Sequence, residues 1–495
     1  MNLPQLRTLL LAFVVCSPAG EVAPQTRNLS LKDCIELALQ NNLELEISRI
    51  NPDLARFNLE LSRTAYDPTV RFSSDLSTAS TPGGVDEQNR TFLATETDSQ
   101  IFSSDFGGLA PSGLSYNLNA NLSHREGLNA GGPFENSFGS TSLSLRQPLL
   151  RNAWIDSTRT TIRINRNNLR ISELGLRQVI MSLVTQVERA YYDLILARNN
   201  VGVQEEALEL TERLLKANRR RVQVGLMAPL DEKQAESQVA TRQSSLRSAQ
   251  RLLVAQAYAL KRLLTADIAG WQTVEIIPAD SLVLVPQAFD LQASWGLALN
   301  KRPEILQSRL NLESDGITLK YRKNQLFPQL DLVASGGFSG SRREYSGALD
   351  DLSSGERPRY GIGAVVSIPL GNRSARTQYE QQKTRDRQGV LRLKELEQTI
   401  MTEVALNIEQ ARTVFDQVGT TRKAREFAEI ALQAEEKKLE IGKSTSFVVL
   451  QLQRDLTTAR SAEITALADY RKALATLAFS EGTVLERMKL DLEVK

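Results

Sequence analysis

The 495-residue sequence has little of several things. It has one histidine, His124, and two cysteines, Cys16 and Cys34. Histidine is the commonest general base, and here no nucleophile–base pairing or phosphate-cradling glycine loop accompanies it. One His and one or two Cys give no metal-ligand spacing either, so no catalytic residue, cofactor or metal site is expected. Aromatics are sparse at 6%, and the formal net charge is only +2, without the basic excess of a nucleic-acid binder. No apolar run reaches the roughly 18 to 20 residues that a membrane-spanning helix needs. With 41% hydrophobic and 24% charged residues the chain reads as helical and water-compatible. Any membrane role falls to strands.

The N-terminus reads as an export leader over residues 1–23. Arg7 supplies the positive region, Leu9 to Cys16 the apolar stretch, and Ser17, Pro18, Ala19 and Gly20 the break, with cleavage expected between Ala19 and Ala23. Val15 stands where a lipoprotein signal has a small residue, which argues against lipidation of Cys16 without closing the question. Cleavage would leave Cys34 alone, excluding an intramolecular disulfide. Its setting, Leu31-Lys32-Asp33-Cys34-Ile35-Glu36-Leu37, suits a small buried apolar side chain.

What the sequence does contain is a repeat. Leu-Ala-Leu occurs at 37–39 and again at 297–299, an offset of 260 that also carries Asn51 onto Asn311 and Pro68 onto Pro328. A second proline element, Leu145-Arg146-Gln147-Pro148-Leu149, answers Val366-Ser367-Ile368-Pro369-Leu370, and Val224-Gly225 answers Ile441-Gly442 at an offset of 217. Two repeats are expected at 29–270 and 286–480, followed by a tail at 481–495. Each holds a strand region (about 67–147 and 328–369) and a long helical hairpin (about 155–268 and 374–480).

The hairpins show coiled-coil spacing. Leu176, Ile180, Leu183, Val187, Ala190, Leu194, Ala197 and Val201 alternate steps of four and three, and Ile400, Val404, Ile408, Ala411, Phe415 and Val418 do much the same. Leu246, Ala249, Leu253, Ala257, Leu260 and Leu264, and Leu467, Tyr470, Leu474 and Leu477, give returning seams. The proline-free stretch from about 155 to 219 would run about 95 Å as a helix. These helices alone fit a non-conducting structural coiled coil of the cell envelope, which stays open as a rival reading.

Four period-two runs weigh against that rival. They lie around Val70–Leu76, Leu114–Leu122, Leu330–Phe338 and Tyr360–Ile368, and their apolar residues alternate with Ser, Asn and Gly. About four strands cannot close a barrel in lipid, where an unpaired edge is very costly, so several protomers must share one. Residues 80–112 are either an external loop or an additional hairpin, and the pattern does not decide between them.

The motifs Leu29-Ser30-Leu31, Cys34-Ile35-Glu36-Leu37-Ala38-Leu39-Gln40-Asn41-Asn42, Ala65-Tyr66-Asp67-Pro68 and Leu326-Phe327-Pro328-Gln329-Leu330-Asp331-Leu332 resemble the TolC family of outer-membrane factors. The likeness extends over nearly all of the expected mature length. It implies a mainly α fold with a membrane β-barrel portion. It implies a homotrimer with a 12-stranded barrel in outer-membrane lipid and a helical tunnel in the periplasm. It further implies a passive exit duct of a tripartite efflux pump or type I secretion system. The partners would be a periplasmic adaptor (membrane fusion) protein and an inner-membrane pump of RND or ABC type. Val224-Gly225-Leu226 with Asp231, and Ile441-Gly442 with Ser444 and Gln451, resemble the family's hairpin tips.

That likeness makes Gly225, Leu226, Gly442 and Ser444 docking candidates. Asp231, Glu232, Arg221 and Gln451 are candidates at the periplasmic entrance. Arg219, Arg220 and Arg221 either pair with acidic groups there or form a solvated face. The acidic ring that the family often places six and nine residues after the second glycine falls on Val448 and Gln451, and its Tyr and Arg latch falls on Leu439 and Ser444. Neither device is present, so closure by other contacts is expected.

Overall fold

The computed structural model describes residues 25–490 other than 86 and 130. The expected leader with Cys16, and the last five residues of the expected tail, lie outside the described residues. In chain order the elements are β1 (Gln25–Leu29), α1 (Leu31–Asn41), α2 (Leu43–Arg63), β2 (Thr69–Thr81), β3 (Gly84–Val85), β4 (Thr91–Phe92), β5 (Thr95–Leu109), β6 (Ser115–Asn129) and β7 (Gly132–Pro148). There follow α3 (Ser157–Gln223), α4 (Pro229–Leu264), β8 (Val274–Pro278), α5 (Leu291–Lys301), α6 (Pro303–Asn324), β9 (Gln329–Arg342) and α7 (Tyr345–Ser354). The chain closes with β10 (Pro358–Ser367), α8 (Arg373–Glu440), α9 (Ser446–Glu481) and α10 (Val484–Arg487).

The same elements recur at the spacings read from the sequence. The starts of α1 and α5, and of β2 and β9, are 260 residues apart, while those of α4 and α9 are 217 apart. The chain divides into two compact units. The long helices α3 and α8 contribute residues to both.

Among the described residues, the first unit comprises 25–46, 180–294 and 404–490. Its helices close on the expected seams. Ile180, Leu183, Val187 and Leu194 of α3 are buried, as are Leu260 and Leu264 of α4, Val404, Ile408, Ala411 and Val418 of α8, and Tyr470, Leu474 and Leu477 of α9. Around them runs a polar ladder between α3 and α9. Lys472 bonds Asp193 at 2.8 Å, Ser461 bonds Asn200 at 2.9 Å, and Arg460 pairs with Glu206. Each pair sits one step further along two antiparallel helices. β1 and β8 pair in parallel, Gln25 opposite Val274. The buried Tyr191 hydroxyl donates to the Leu29 carbonyl at 3.0 Å or to Asp280 at 2.8 Å, fixing that pair to α3. Ser30 caps α1 through a reciprocal bond with Asp33, whose carboxyl this bonding holds low. Cys34 is fully buried and its thiol is pushed up to about 12 by burial, which makes it an inert core residue.

The second unit comprises residues 47–179 and 295–403, with 492–495 outside the described residues. Its centre is an antiparallel sheet of six strands in the order β10-β9-β7-β6-β5-β2. Each of the four runs expected from the sequence is a strand, and β5 and β7 are two more, so the sheet exceeds the expected four. Residues 95–109 thereby settle the question left over 80–112: this stretch is paired strand, opposite both β2 and β6. The strand region expected at 328–369 also contains a helix, α7. Its close seat on the sheet requires glycine, because a Cβ at Gly340 would come within 2.5 Å of Asp351. Asp351 is clamped by Arg342 at 2.8 Å. Beside the sheet, α6 is tied to α3 through Asn167 and Ser314 at 3.2 Å and to α8 through Arg302 and Glu403 at 2.6 Å.

Candidate functional site

Two features of these units carry functional chemistry: the faces of the sheet and the reversals of the helical hairpins. In the sheet, strand alternation sorts side chains by polarity. The pairing register places Val70, Phe106, Leu118, Leu143, Gly336 and Tyr360 in one row across all six strands. Phe72, Leu76, Phe102, Ile362 and Val366 share that face, and these large apolar side chains are exposed, Phe72 at 78% and Tyr360 at 88%. The opposite face carries a row of Ser73, Ser103, Asn121, Ser140 and Ser339. Ser73 and Ser103 hydrogen-bond each other at 2.8 Å. Arg146 and Asp331 on this face pair at 2.6 Å. One face therefore favours hydrocarbon and the other water. The two outer strands, β2 and β10, end the sheet with unpaired edges.

The hairpin tips belong to the first unit, and both use the same stop. Gly225 and Gly442 adopt φ of 74° and 76°, the left-handed region in which glycine carries no Cβ penalty. Leu226 N–H donates to the Arg221 carbonyl and Lys443 N–H to the Lys438 carbonyl, each at 2.8 Å, closing the last helical turn. Pro229 then starts α4 at its first turn, where its missing N–H costs nothing.

The structure brings the two tips together. Arg221 donates to the Leu439 carbonyl of the second hairpin at 3.4 Å. Ser446 donates to Asn218 at 3.1 Å, and both residues are buried. Beneath them Leu214 packs with Leu432, Leu439, Val449, Leu450 and Leu456.

Of the entrance candidates, Glu232 accepts from Arg219 at 3.2 Å, and Glu236 accepts from the same guanidinium at 2.6 Å. The Lys233 ammonium and then Arg219 hold the Glu236 carboxyl below its usual range. Arg219 thus pairs with acidic groups across its own hairpin, while the Arg221 bond between hairpins goes to a backbone carbonyl and not to an acidic group. Ser444 donates to Glu435, whose carboxyl is held low first by Lys438 and then by this hydroxyl. Asp231 is half-buried at the start of α4, and Gln451 is exposed on α9; neither takes part in the bonds between the tips described above.

Sequence reasoning passed over three things. Around the docking candidates, Val224, Leu226, Leu230, Ile441 and Phe447 are all exposed apolar residues; of these the sequence makes only Leu226 a docking candidate, although the others lie within a few residues of the two glycines. On α2, Ile47, Ile50, Leu54, Phe57 and Leu61 are all exposed and follow steps of three and four. That seam was legible as a heptad. Lastly, the fold gathers His124, Glu126 and Glu135, whose ligand atoms lie within 4.8 Å of one another. His124 and Glu126 share β6 and Glu135 comes from β7, so the full set shows only once the two strands pair. Glu135 already accepts from Arg343 at 2.8 Å, and the His124 ring from Ser137 or to it at 2.8 Å, making this an ion-paired cluster at the strand ends.

Comparison with known proteins places this geometry. The profile of the family described as outer membrane efflux protein matches residues 110–266 and 295–483. The outer membrane efflux protein BepC of Brucella suis biovar 1 is 21% identical over 467 residues, covering 94% of this chain and 87% of that protein. A membrane protein from Pseudomonas aeruginosa superposes with a TM-score of 0.68 at 19% identity, over 93% of this chain and 91% of that one. The outer-membrane channel OprN does so with a TM-score of 0.69 at 16% identity, over 97% and 98%. At these identities the structural likeness is one of fold.

Proposed function

The chain belongs to the outer membrane efflux protein family, the TolC-type factors of the outer membrane, and from that premise we propose that it is the passive exit duct of a tripartite export assembly. The observation that carries this reading is the two-faced sheet with open edges at β2 and β10. An apolar face of Val70, Phe72, Phe106, Leu118 and Tyr360 suits acyl chains, and a face of serine and asparagine suits a wet lumen. The unpaired edges call for further copies of the same chain, because backbone groups in hydrocarbon have no other partner. The exposed seam on α2 calls for the same thing outside the membrane. A homotrimer with a shared barrel, each protomer built from two copies of one strand-and-hairpin design, meets both demands.

The hairpin tips are then the periplasmic end. Gly225 and Gly442 shape two blunt reversals, and the apolar group around Leu226 and Ile441 is the surface offered to an adaptor, itself coupled to an inner-membrane pump. The entrance is held by Arg219 with Glu232 and Glu236, by Arg221 with Leu439, and by Ser446 with Asn218. The rival reading, a structural coiled coil that conducts nothing, calls for no such sheet. The test is single-channel recording of purified protein in planar bilayers. Discrete ion-conducting steps are expected, growing when Arg219 and Arg221 are replaced together. A trimer that stays electrically silent even then would overturn the proposal.

A further inference from the structure

The two repeats differ most between the strand pair β2 and β7 and its counterpart β9 and β10. The offset between equivalent elements falls from 260 at β2 and β9 to 217 at α4 and α9, so the first repeat is longer by 43 residues within that interval. In the second repeat β9 and β10 pair with each other over ten positions, with α7 between them. In the first repeat β2 does not pair with β7. Between them stand β5 and β6.

These two strands are woven in along their whole length. All thirteen residues of β2 are matched with β5, and the β5–β6 and β6–β7 registers run from end to end of the strands. Over Phe102–Gly108 and Tyr116–Leu122 they also obey the polarity of their neighbours. Phe102, Phe106, Leu118 and Leu122 fall on the apolar face, and Ser103, Asp105, Asn119 and Asn121 on the polar one. Asp105 on that face accepts from Asn119 at 2.8 Å. A loop or external flap has no need for such sorting, whereas a membrane strand does.

We infer that β5–β6 is a hairpin inserted into the barrel wall, giving six strands per protomer and an eighteen-stranded exit for bulky hydrophilic cargo. This rests on the trimeric duct proposed above. With strands about 4.8 Å apart and tilted about 40°, twelve strands close at a backbone diameter of about 24 Å and eighteen at about 36 Å. The cross-section more than doubles. The lining is mostly hydroxyl and amide, and its charges nearly balance in sign, Arg71 standing opposite Asp105 in the register and Arg146 pairing with Asp331, so the wall discriminates little by net charge. The exit barrel is then too wide and too neutral to select among small solutes, and the cargo it suits is large and polar.

Polymer exclusion tests this, because polyethylene glycols added on the outer side of a planar bilayer enter the barrel without passing the helical entrance. Intact protein is compared with a variant lacking residues 84–129, which joins β2 directly to β7. The intact channel is expected to admit polymers about 1.5-fold larger in hydrodynamic diameter than the variant does. Equal cut-offs would overturn the inference. Should the deletion fail to assemble, single cysteines decide. Ser103→Cys and Asn121→Cys should react with a membrane-impermeant thiol reagent, and Phe102→Cys and Leu118→Cys should resist it, with buried Cys34 giving no background. Reaction at all four would place the hairpin outside the wall and overturn the inference. Cross-linking followed by mass measurement counts protomers separately. A number other than three would sink the eighteen-stranded barrel and the trimer, while the labelling pattern would still report six strands in each wall segment.

Discussion

Ser446, the first residue of α9, donates its hydroxyl to the Asn218 side-chain oxygen at 3.1 Å, and neither residue is exposed to solvent. Asn218 lies seven residues before the glycine of the first tip, and Ser446 four after that of the second. This single bond therefore joins the two reversals from within. Truncating one partner leaves the other polar group buried and unsatisfied, at a cost of about 1–3 kcal/mol. Ser446→Ala should lower the free energy of local opening by that amount, read by native-state hydrogen exchange of amides in 446–456. Adding Asn218→Leu should recover part of the loss, since both polar partners are then gone. Equal protection in S446A and the parent protein would show that the bond does not hold the tips.

Acid should loosen both tips. Glu236 is held low by Lys233 and Arg219, and Glu435 by Lys438 and Ser444. A carboxylate depressed in the folded state adds stability that is fully present above its unfolded value and is lost as pH falls through its folded value. Nitroxide labels at Gln223 and Lys443 should therefore report unchanged mobility from about pH 8 to about pH 5, then rising mobility below about pH 4, where glutamates protonate. Replacing Glu236 and Glu435 by glutamine should give the mobile spectrum already at neutral pH. Tips that instead loosened as the pH was raised from 5 to 8 would contradict the assignment.

The docking surface proposed above can be separated from the fold at Leu226 and Ile441. Both are exposed at the reversals, Leu226 at 79% and Ile441 at 67%. Leu226→Asp with Ile441→Asp should leave conductance in planar bilayers unchanged and weaken capture of the adaptor at least tenfold. Tenfold corresponds to about 1.4 kcal/mol, less than the burial of two such side chains supplies. Capture at parental strength would move the docking surface elsewhere.

Much of this architecture is legible in the residues, for reasons particular to them. The seams of α8 and α9 show because Ile400, Val404, Ile408 and Tyr470 must face a partner helix, and a 3.5-residue period has few other causes. Gly225 and Gly442 show because left-handed φ is costly for other residues. β5 stays undecided in sequence because Thr95–Leu109 ends in Asp105-Phe106-Gly107-Gly108, where glycines read as loop and the apolar alternation is short. α7 is hidden for a different reason. Ten residues hold a single helical set, Tyr345, Ala348, Leu349 and Leu352, too short to stand out from a strand region. Contacts such as Arg221 with Leu439 span 218 residues and depend on two hairpins lying side by side, which no local pattern encodes.

The α2 seam leads to a prediction about assembly. Ile50, Leu54, Phe57 and Leu61 recur at steps of four and three, and all four remain exposed in the single chain. A heptad seam left in water costs the apolar transfer free energy of each side chain, about 1.5–3 kcal/mol apiece when fully exposed. A second copy that covers it recovers most of that. Placing a charge in the seam instead buries an unpaired carboxylate, so Ile50→Asp with Phe57→Asp should oppose association strongly. The expected result, by light scattering of the detergent-solubilised protein, is a shift from trimer to monomer, with the helical circular dichroism of the monomer retained. Exposed Arg63, which about 100° per residue places about 150° around α2 from the centre of the seam, serves as a control: Arg63→Ala should leave the trimer intact. A double variant that still sedimented as a trimer would show that the seam faces something other than a neighbouring protomer.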